Sequence, residues 1–304
     1  MTSDIPAVVP PRERTRLKWG PILWNCVIQI GVVLAPFYFS WSAVLVCAVL
    51  YCLCAIGITM GFHRLLTHRS FQTPKWVEYL LTVLGSIANQ GGPIQWVSAH
   101  RAHHNHSDDD GDPHAPRDGW WWSHMLWWMY HDPVLDVPEH RDHYVKDLLR
   151  DPVHRVLDRY GQVVLPIGLG ALLYVLGNAW GGVGMAWLVW GIFVRTTLVY
   201  HATWLVNSAT HMWGYRTHAT RDRSTNLWWV ALLTFGEGWH NNHHAFPRSA
   251  RHGLRWWELD MTYLLIRMMS WVKLAKQIHV PGRILKRVQG AVSRPEKVLE
   301  TVQS

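Results

Sequence analysis

Residues 19–61 read WGPILWNCVIQIGVVLAPFYFSWSAVLVCAVLYCLCAIGITMG, without one Asp, Glu, Lys, Arg or His. A charge-free apolar run of 18 or more residues reads as a membrane crossing, because about 20 helical residues span a hydrocarbon core of roughly 30 Å. This run is long enough for two. It predicts a hairpin of helices over 20–39 and 41–61, the first ending near Pro36, with Tyr38-Phe-Ser-Trp41 as an uncharged turn. Residues 160–194 are also free of charge and predict a second hairpin, with crossings at 162–180 and 185–207. All four cysteines (Cys26, Cys47, Cys52, Cys54) fall in the first run without a CxxC spacing, so buried free thiols are expected and a disulfide framework is not.

The remainder is polar enough to need water. Charged residues make up only 16% of the 304, yet mean hydropathy is −0.03, which predicts a membrane base carrying a large polar cap. The expected fold is therefore an all-α membrane protein with four transmembrane helices and a helical cap over 62–160 and 208–275. It occupies residues 18–280, between a flexible arm at 1–17 and a basic tail at 281–304. The net charge of +8 does not suggest nucleic acid, since the Lys and Arg are dispersed and flank apolar segments. Arg12, Arg14, Arg16 and Lys18 precede the first crossing, so both termini and the cap are expected on the cytoplasmic side. No cleavable signal is expected. Residues 76–96 tempt a further crossing, but Asn89-Gln-Gly-Gly-Pro93 interrupts them, and an interfacial or cap-packed segment is expected. Trp120 to Trp128, rich in Trp, suits a membrane interface.

The cap holds most of the 20 histidines. In His100-Arg-Ala-His-His104 the three rings fall at i, i+3 and i+4, on one helix face. His240-Asn-Asn-His-His244 repeats the spacing, and His63-Arg-Leu-Leu-Thr-His68 adds two more. Neutral imidazole suits Fe, Zn, Cu or Ni, and eight rings are too many for one ion, so two metals are the economical reading. His63 and His68 are about 140° apart on an α-helix, which predicts a helix end or turn between them. Asp112, its neighbours from Asp108, and Glu237 are candidates to orient imidazole N–H groups.

His63-Arg-Leu-Leu-Thr-His68, His100-Arg-Ala-His-His104 and Glu237-Gly-Trp-His-Asn-Asn-His-His-Ala-Phe-Pro247 together resemble the three histidine boxes of integral-membrane Δ9 fatty acyl desaturases. That family includes stearoyl-CoA and acyl-lipid enzymes. Asn207-Ser-Ala-Thr-His211 is similar to a fourth element of the family. The resemblance covers about residues 20–275 and implies a di-iron centre held by His63, His68, His100, His103, His104, His211, His240, His243 and His244, with Asn207 holding a metal-bound water. It implies O2 as co-substrate and a cis double bond as product. By the family pattern, Gln90, Thr203 and Trp204 bend an acyl tunnel near the metals, and Tyr51 and Ala55 close its far end.

Where the acyl-CoA enzymes carry an Arg-Asp pair before the second box, this chain has Ser98-Ala99, and His131-Asp132 replaces a later basic pair. Without those cations the CoA phosphates lose their partners. The flanks resemble the bacterial acyl-lipid branch, which implies a multi-pass protein of the inner membrane acting on an acyl-lipid, with acyl-CoA as the alternative. No cytochrome b5 or flavin motif is evident, so electrons are expected from a separate ferredoxin or b5-type carrier. Two rivals remain: a related di-iron hydroxylase, and a histidine-rich metal transporter, the latter opposed by apolar helices with almost no polar relay.

Overall fold

The computed structural model describes residues 16–282. The expected arm before Arg16 and the expected tail after Gly282 lie outside the described residues. Within them the chain is helical, with no strand and only isolated bridges such as Leu17 with Tyr130.

Helix α1 (Trp19–Val33) stops short of residue 39, just before Pro36, which lacks an N–H and cannot continue it. Helix α2 (Trp41–Ile56) begins at Ser40, whose hydroxyl accepts the Ala43 N–H at 3.1 Å. It does not end at 61. It passes unbroken into a π-helical segment, Gly57–Thr67. The resulting apolar helix, Trp41–Thr67, and a second one, Pro152–Gly181, are long and apolar enough to cross a membrane. Only 22% of the most apolar window of the latter is buried, which separates it from the core helix of a water-soluble protein. Its outer face and that of α1 present exposed apolar side chains such as Val175 and Ile30, as lipid contact requires.

Two further apolar helices lie beside these. Helix α1 has 15 residues, about 22 Å of rise, and seats Gly31 against the ring of Phe193. A continuous helical stretch from Gly184 ends in Arg195–Ser208. Its Arg195, overlooked in the expected 185–207 crossing, is fully buried. Its guanidinium donates to the Ile87 carbonyl at 2.8 Å and the Gly191 carbonyl at 3.0 Å, so the charge faces protein.

Helix α3 (Lys75–Ile87) has 13 residues, too few to cross, and lies along the π-helical segment. The contact depends on glycine. A Cβ at Gly57 would overlap the backbone of Leu84 and Gly85, and one at Gly61 would come within 2.9 Å of the Leu81 carbonyl. The chain then turns through Asn89 and Gly91, both with positive φ, into α4 (Pro93–His106). The Asp158 carboxylate accepts the Ile94 and Gln95 N–H groups there, each at 2.9 Å, satisfying donors the helix start leaves open. Phe62, Leu66, Leu81, Ile94, Val97 and Ile266 form one core beneath these elements. A short helix α5 (His240–Ala245) and α6 (Met261–Trp271) complete the cap side.

The Gly57→Ala variant is expected to lose roughly 1–3 kcal/mol of stability, since the overlap is with backbone rather than a flexible side chain. Thermal melts in detergent check this against Gly20→Ala, whose added Cβ meets nothing within 4 Å and is expected to leave the melt unchanged.

Candidate metal centre

Nine imidazoles converge in two groups. His63, His68, His100, His104 and His243 form one, and His103, His211, His240 and His244 the other, with the ligand-capable atoms of each group within 4.8 Å of one another. The two helical boxes are therefore split. On α4, His100 and His104 are one turn apart and serve the first group, while His103 turns to the second. On α5, His240 and His244 serve the second group and His243 the first. Each helix stands between the groups and feeds both.

The pairing of His63 with His68 corrects the α-helical expectation. Their separation of five residues is one turn of π-helix, whose hydrogen bonds run i→i+5. The His68 N–H donates to the His63 carbonyl at 3.1 Å, and the rings lie 4.8 Å apart. The expected helix end does fall between them, at Thr67, with His68 as the C-cap. The wider winding does what a turn was expected to do.

Carboxylates stand behind the rings. Glu237 Oε2 lies 2.6 Å from His63 Nδ1, and Asp112 Oδ1 lies 3.0 Å from His103 Nδ1. His244 Nδ1 donates to Asp222 at 2.7 Å, and His211 Nδ1 is 3.2 Å from Asp108. A carboxylate at that distance places the proton on Nδ1 and leaves the Nε2 lone pair facing inward. Inside the groups Nε2 meets Nε2: His63 and His243 at 3.1 Å, His243 and His104 at 2.9 Å, His240 and His244 at 3.0 Å. The buried Nε2 atoms of His68 and His211 have no hydrogen-bond partner. Burial, reinforced by neighbouring rings, drives His68, His100, His104, His240 and His243 well below the usual imidazole range, and burial brings His244 to about 4. Burial lowers His103 too, but Asp112 beside it raises it on balance. Imidazoles with converging lone pairs are, in their neutral form, a donor set for divalent transition ions. The residues fit two such ions, one in each group.

Buried polar contacts hold these elements in place. Arg64, fully buried beside His63, pairs with Glu237 at 3.0 Å and Asp260 at 2.9 Å, tying the π-helical segment to the chain before α5 and after it. Burial would raise the Glu237 carboxyl, but His63 and Arg64 beside it hold it well below the usual range. The asparagines between the α5 histidines are structural. Asn241 accepts the N–H groups of Thr217 and His218, and Asn242 donates to Glu258 and the His252 carbonyl.

An apolar cavity with about 570 Å³ of empty space opens onto both groups. His63, His100, His240 and Asn207 stand at one part of its wall, and Tyr51, Ala55, Ile58, Val199 and Thr203 line other parts. Tyr51 donates to the Leu233 carbonyl at 2.7 Å. Gln90 and Trp204 are not among the lining residues. Gln90 reaches the wall indirectly, donating to Thr203 Oγ1 at 2.8 Å, and Trp204 stacks on Trp128. Sequence reasoning missed Asp222, His252 and His114. Asp222 sits between Arg221 and Arg223 and reads as a solvated charge. His252 and His114 belong to no repeated spacing, yet their rings lie 4.4 Å from His243 and 4.4 Å from His103.

These features define a class: helical, membrane-associated proteins with a histidine-rich metal-binding centre set against an apolar cavity. The chain belongs to the fatty acid desaturase family, whose model matches residues 39–270. It is 51% identical over 274 residues to an sn-1 stearoyl-lipid 9-desaturase of Anabaena variabilis, covering 89% of this chain and 97% of that one. It is 44% identical to an sn-2 palmitoyl-lipid 9-desaturase of Nostoc sp., covering 91% and 96%. An acyl-CoA C20 Δ5-desaturase of Anemone leveillei is 42% identical over 92% of this chain and 90% of its own.

The Asp222→Ala variant removes the acceptor behind His244 Nδ1. It is expected to weaken metal retention roughly 10- to 100-fold, read as metal content after titration with a chelator.

Proposed function

We propose that the protein is an acyl-lipid Δ9 desaturase that introduces a cis double bond into a saturated C16 or C18 acyl chain, using O2 and externally supplied electrons. The observation that carries this is the single apolar cavity wall on which members of both histidine groups meet Asn207. An unactivated methylene can be held there, away from water, against two metal sites. The names of the stearoyl-lipid and palmitoyl-lipid 9-desaturase relatives supply the regiochemistry and carrier.

The nine histidines would hold two iron ions, His63, His68, His100, His104 and His243 one, His103, His211, His240 and His244 the other. Iron with O2 supplies an oxidant strong enough for an unactivated C–H bond, which zinc, without redox chemistry, does not. The protein's own residues do the rest. Apolar walls from Ile58, Val199 and Val206 bind the chain and exclude water. Asn207, on the cavity wall beside these histidines, would hold a water there by hydrogen bonding. Glu237 and Asp112 keep His63 and His103 in the tautomer that offers Nε2 inward. Tyr51 and Ala55, one turn apart on α2, limit how far the methyl end travels, so they set chain length.

The topology proposed is four crossings in two hairpins, with the termini and the cap cytoplasmic. The apolar helices Trp41–Thr67 and Pro152–Gly181 support two of these, and the basic residues before Trp19 support the orientation. The carrier assignment rests on charge. Ser98 is buried with its hydroxyl donating to the Gln95 carbonyl at 2.8 Å, and His131 leans on Asp136, so neither place offers a fixed cation for CoA phosphates.

Purified enzyme given reduced ferredoxin and labelled stearoyl-lipid is expected to form the 9-monoene, with stearoyl-CoA converted far more slowly. Mass spectrometry of the product decides, and a hydroxylated chain or fast conversion of the CoA ester would overturn the assignment. In a host with saturated lipids, Ala55→Phe is expected to shift the monoene profile towards shorter chains and Tyr51→Ala towards longer ones, read from the fatty-acid profile.

A further inference from the structure

Among the described residues, one group of metal-ligating side chains shares no member with the nine-histidine centre. Glu78, in the first turn of α3, joins Asp151 and His154, at the start of the apolar helix Pro152–Gly181. Each brings one ligand-capable atom to within 4.8 Å of the others. Asp151 and His154 are three residues apart, one turn along the helix start, and so share a side.

His154 is the unusual member. Its side chain is 2% exposed, yet neither ring nitrogen has a hydrogen-bond partner. Buried polar side chains are otherwise almost always paired. Its Nε2 lies 3.4 Å from Glu78 Oε1 without the alignment of a hydrogen bond. Ligand atoms around a tetrahedral zinc, each about 2.0–2.1 Å from the metal, lie roughly 3.3–3.4 Å from one another. The two atoms are thus spaced as neighbouring ligands of one ion.

The carboxylates already share a cation. Lys75 Nζ donates to Glu78 Oε1 at 2.8 Å and to Asp151 Oδ2 at 2.9 Å. Tyr79 also donates to that Oδ2, at 3.1 Å, while Asp151 Oδ1 accepts the Val153 N–H and caps the helix. The ammonium serves both carboxylates and leaves His154 unserved. The Lys75 side chain is 62% exposed, so it can swing into water without losing a buried place.

We propose that Glu78, Asp151 and His154 form a metal site separate from the histidine centre, which takes a divalent cation of the zinc type and completes its shell with water. The ion displaces the Lys75 ammonium, and two carboxylates balance its charge. One imidazole beside two carboxylates favours zinc over magnesium or calcium, which prefer oxygen alone. Bound there, it ties the start of α3 to the start of the apolar helix Pro152–Gly181. Helix α3 in turn lies along the π-helical segment that carries His63.

The test uses the full chain, loaded with iron beforehand, in nanodiscs of neutral lipid. Zinc chloride is titrated in against a competing chelator, and zinc and iron per chain are counted by elemental mass spectrometry. The parent is expected to hold one zinc per chain with its iron undiminished. X-ray absorption at the zinc edge is expected to show a single imidazole in a shell otherwise of oxygen. His154→Gln keeps a polar side chain, and Asp151→Asn keeps the helix cap. Both are expected to bind zinc at least about tenfold more weakly, since a lost ligand costs no less than a lost supporting residue. Lys75→Met removes the competing ammonium and is expected to bind zinc more tightly. Zinc is expected to raise the melting temperature of the parent and not that of His154→Gln. A parent that gains zinc only as it loses iron, or a zinc shell of several imidazoles, overturns the proposal. So does zinc affinity unchanged by His154→Gln, or by Lys75→Met. If His154→Gln does not fold, Asp151→Asn decides in its place.

Discussion

Imidazole lone pairs aimed at one another are the constraint on which the cap depends. Four carboxylates place protons on Nδ1 of His63, His103, His211 and His244, and so turn Nε2 inward. Nε2 atoms elsewhere in the groups approach to about 3 Å, as His243 and His104 do, a spacing at which either one ring donates to the other or a cation takes both lone pairs. The arrangement is one that a metal ion would complete. The same carboxylates are held from behind. Glu237 bonds Arg64, which also bonds Asp260, so the buried charges neutralise in a chain rather than singly. Cutting that chain at one end would leave a charge buried without a partner, which costs several kcal/mol more than the pair contributes.

Packing delivers the rings to that point. The π-helical segment needs α3 close against it, and the bare backbones at Gly57 and Gly85 permit the approach. Widening the helix there also turns a five-residue spacing into neighbours, which an α-helix would not do. The apolar helix and the first histidine box are thus one element, and the depth of the metal site relative to the base follows from the length of Trp41–Thr67.

Much of this was legible in the sequence. The charge-free runs announced a membrane base, and the repeated HxxHH spacing named most of the converging rings. What was not legible was long-range. That His103 parts company with His100 and His104 depends on which partners arrive from α5, and a helical spacing cannot say. Asp222 lies 22 residues before His244 and between two arginines, so nothing local marks it as that ring's acceptor. Arg195 sat unnoticed at the end of an apolar run, since the carbonyl of Ile87 that satisfies it belongs to another helix. The π-helix was hidden for a different reason: the expected angle of about 140° assumed α-helical winding.

Two openings reach the histidine groups, one apolar and one polar. The apolar one, lined by Tyr51, Ala55 and Ile58, is the approach proposed for the acyl chain. The polar one is lined by Arg221, Arg223 and Arg248 beside His68, His104 and His244. Because α4 and α5 each serve both groups, neither histidine group belongs to a single opening. His100 faces the apolar opening and His104 the polar one, one turn later on the same helix. The helical repeat that first marked these residues as a metal cage also carries the site from its apolar approach to its charged one.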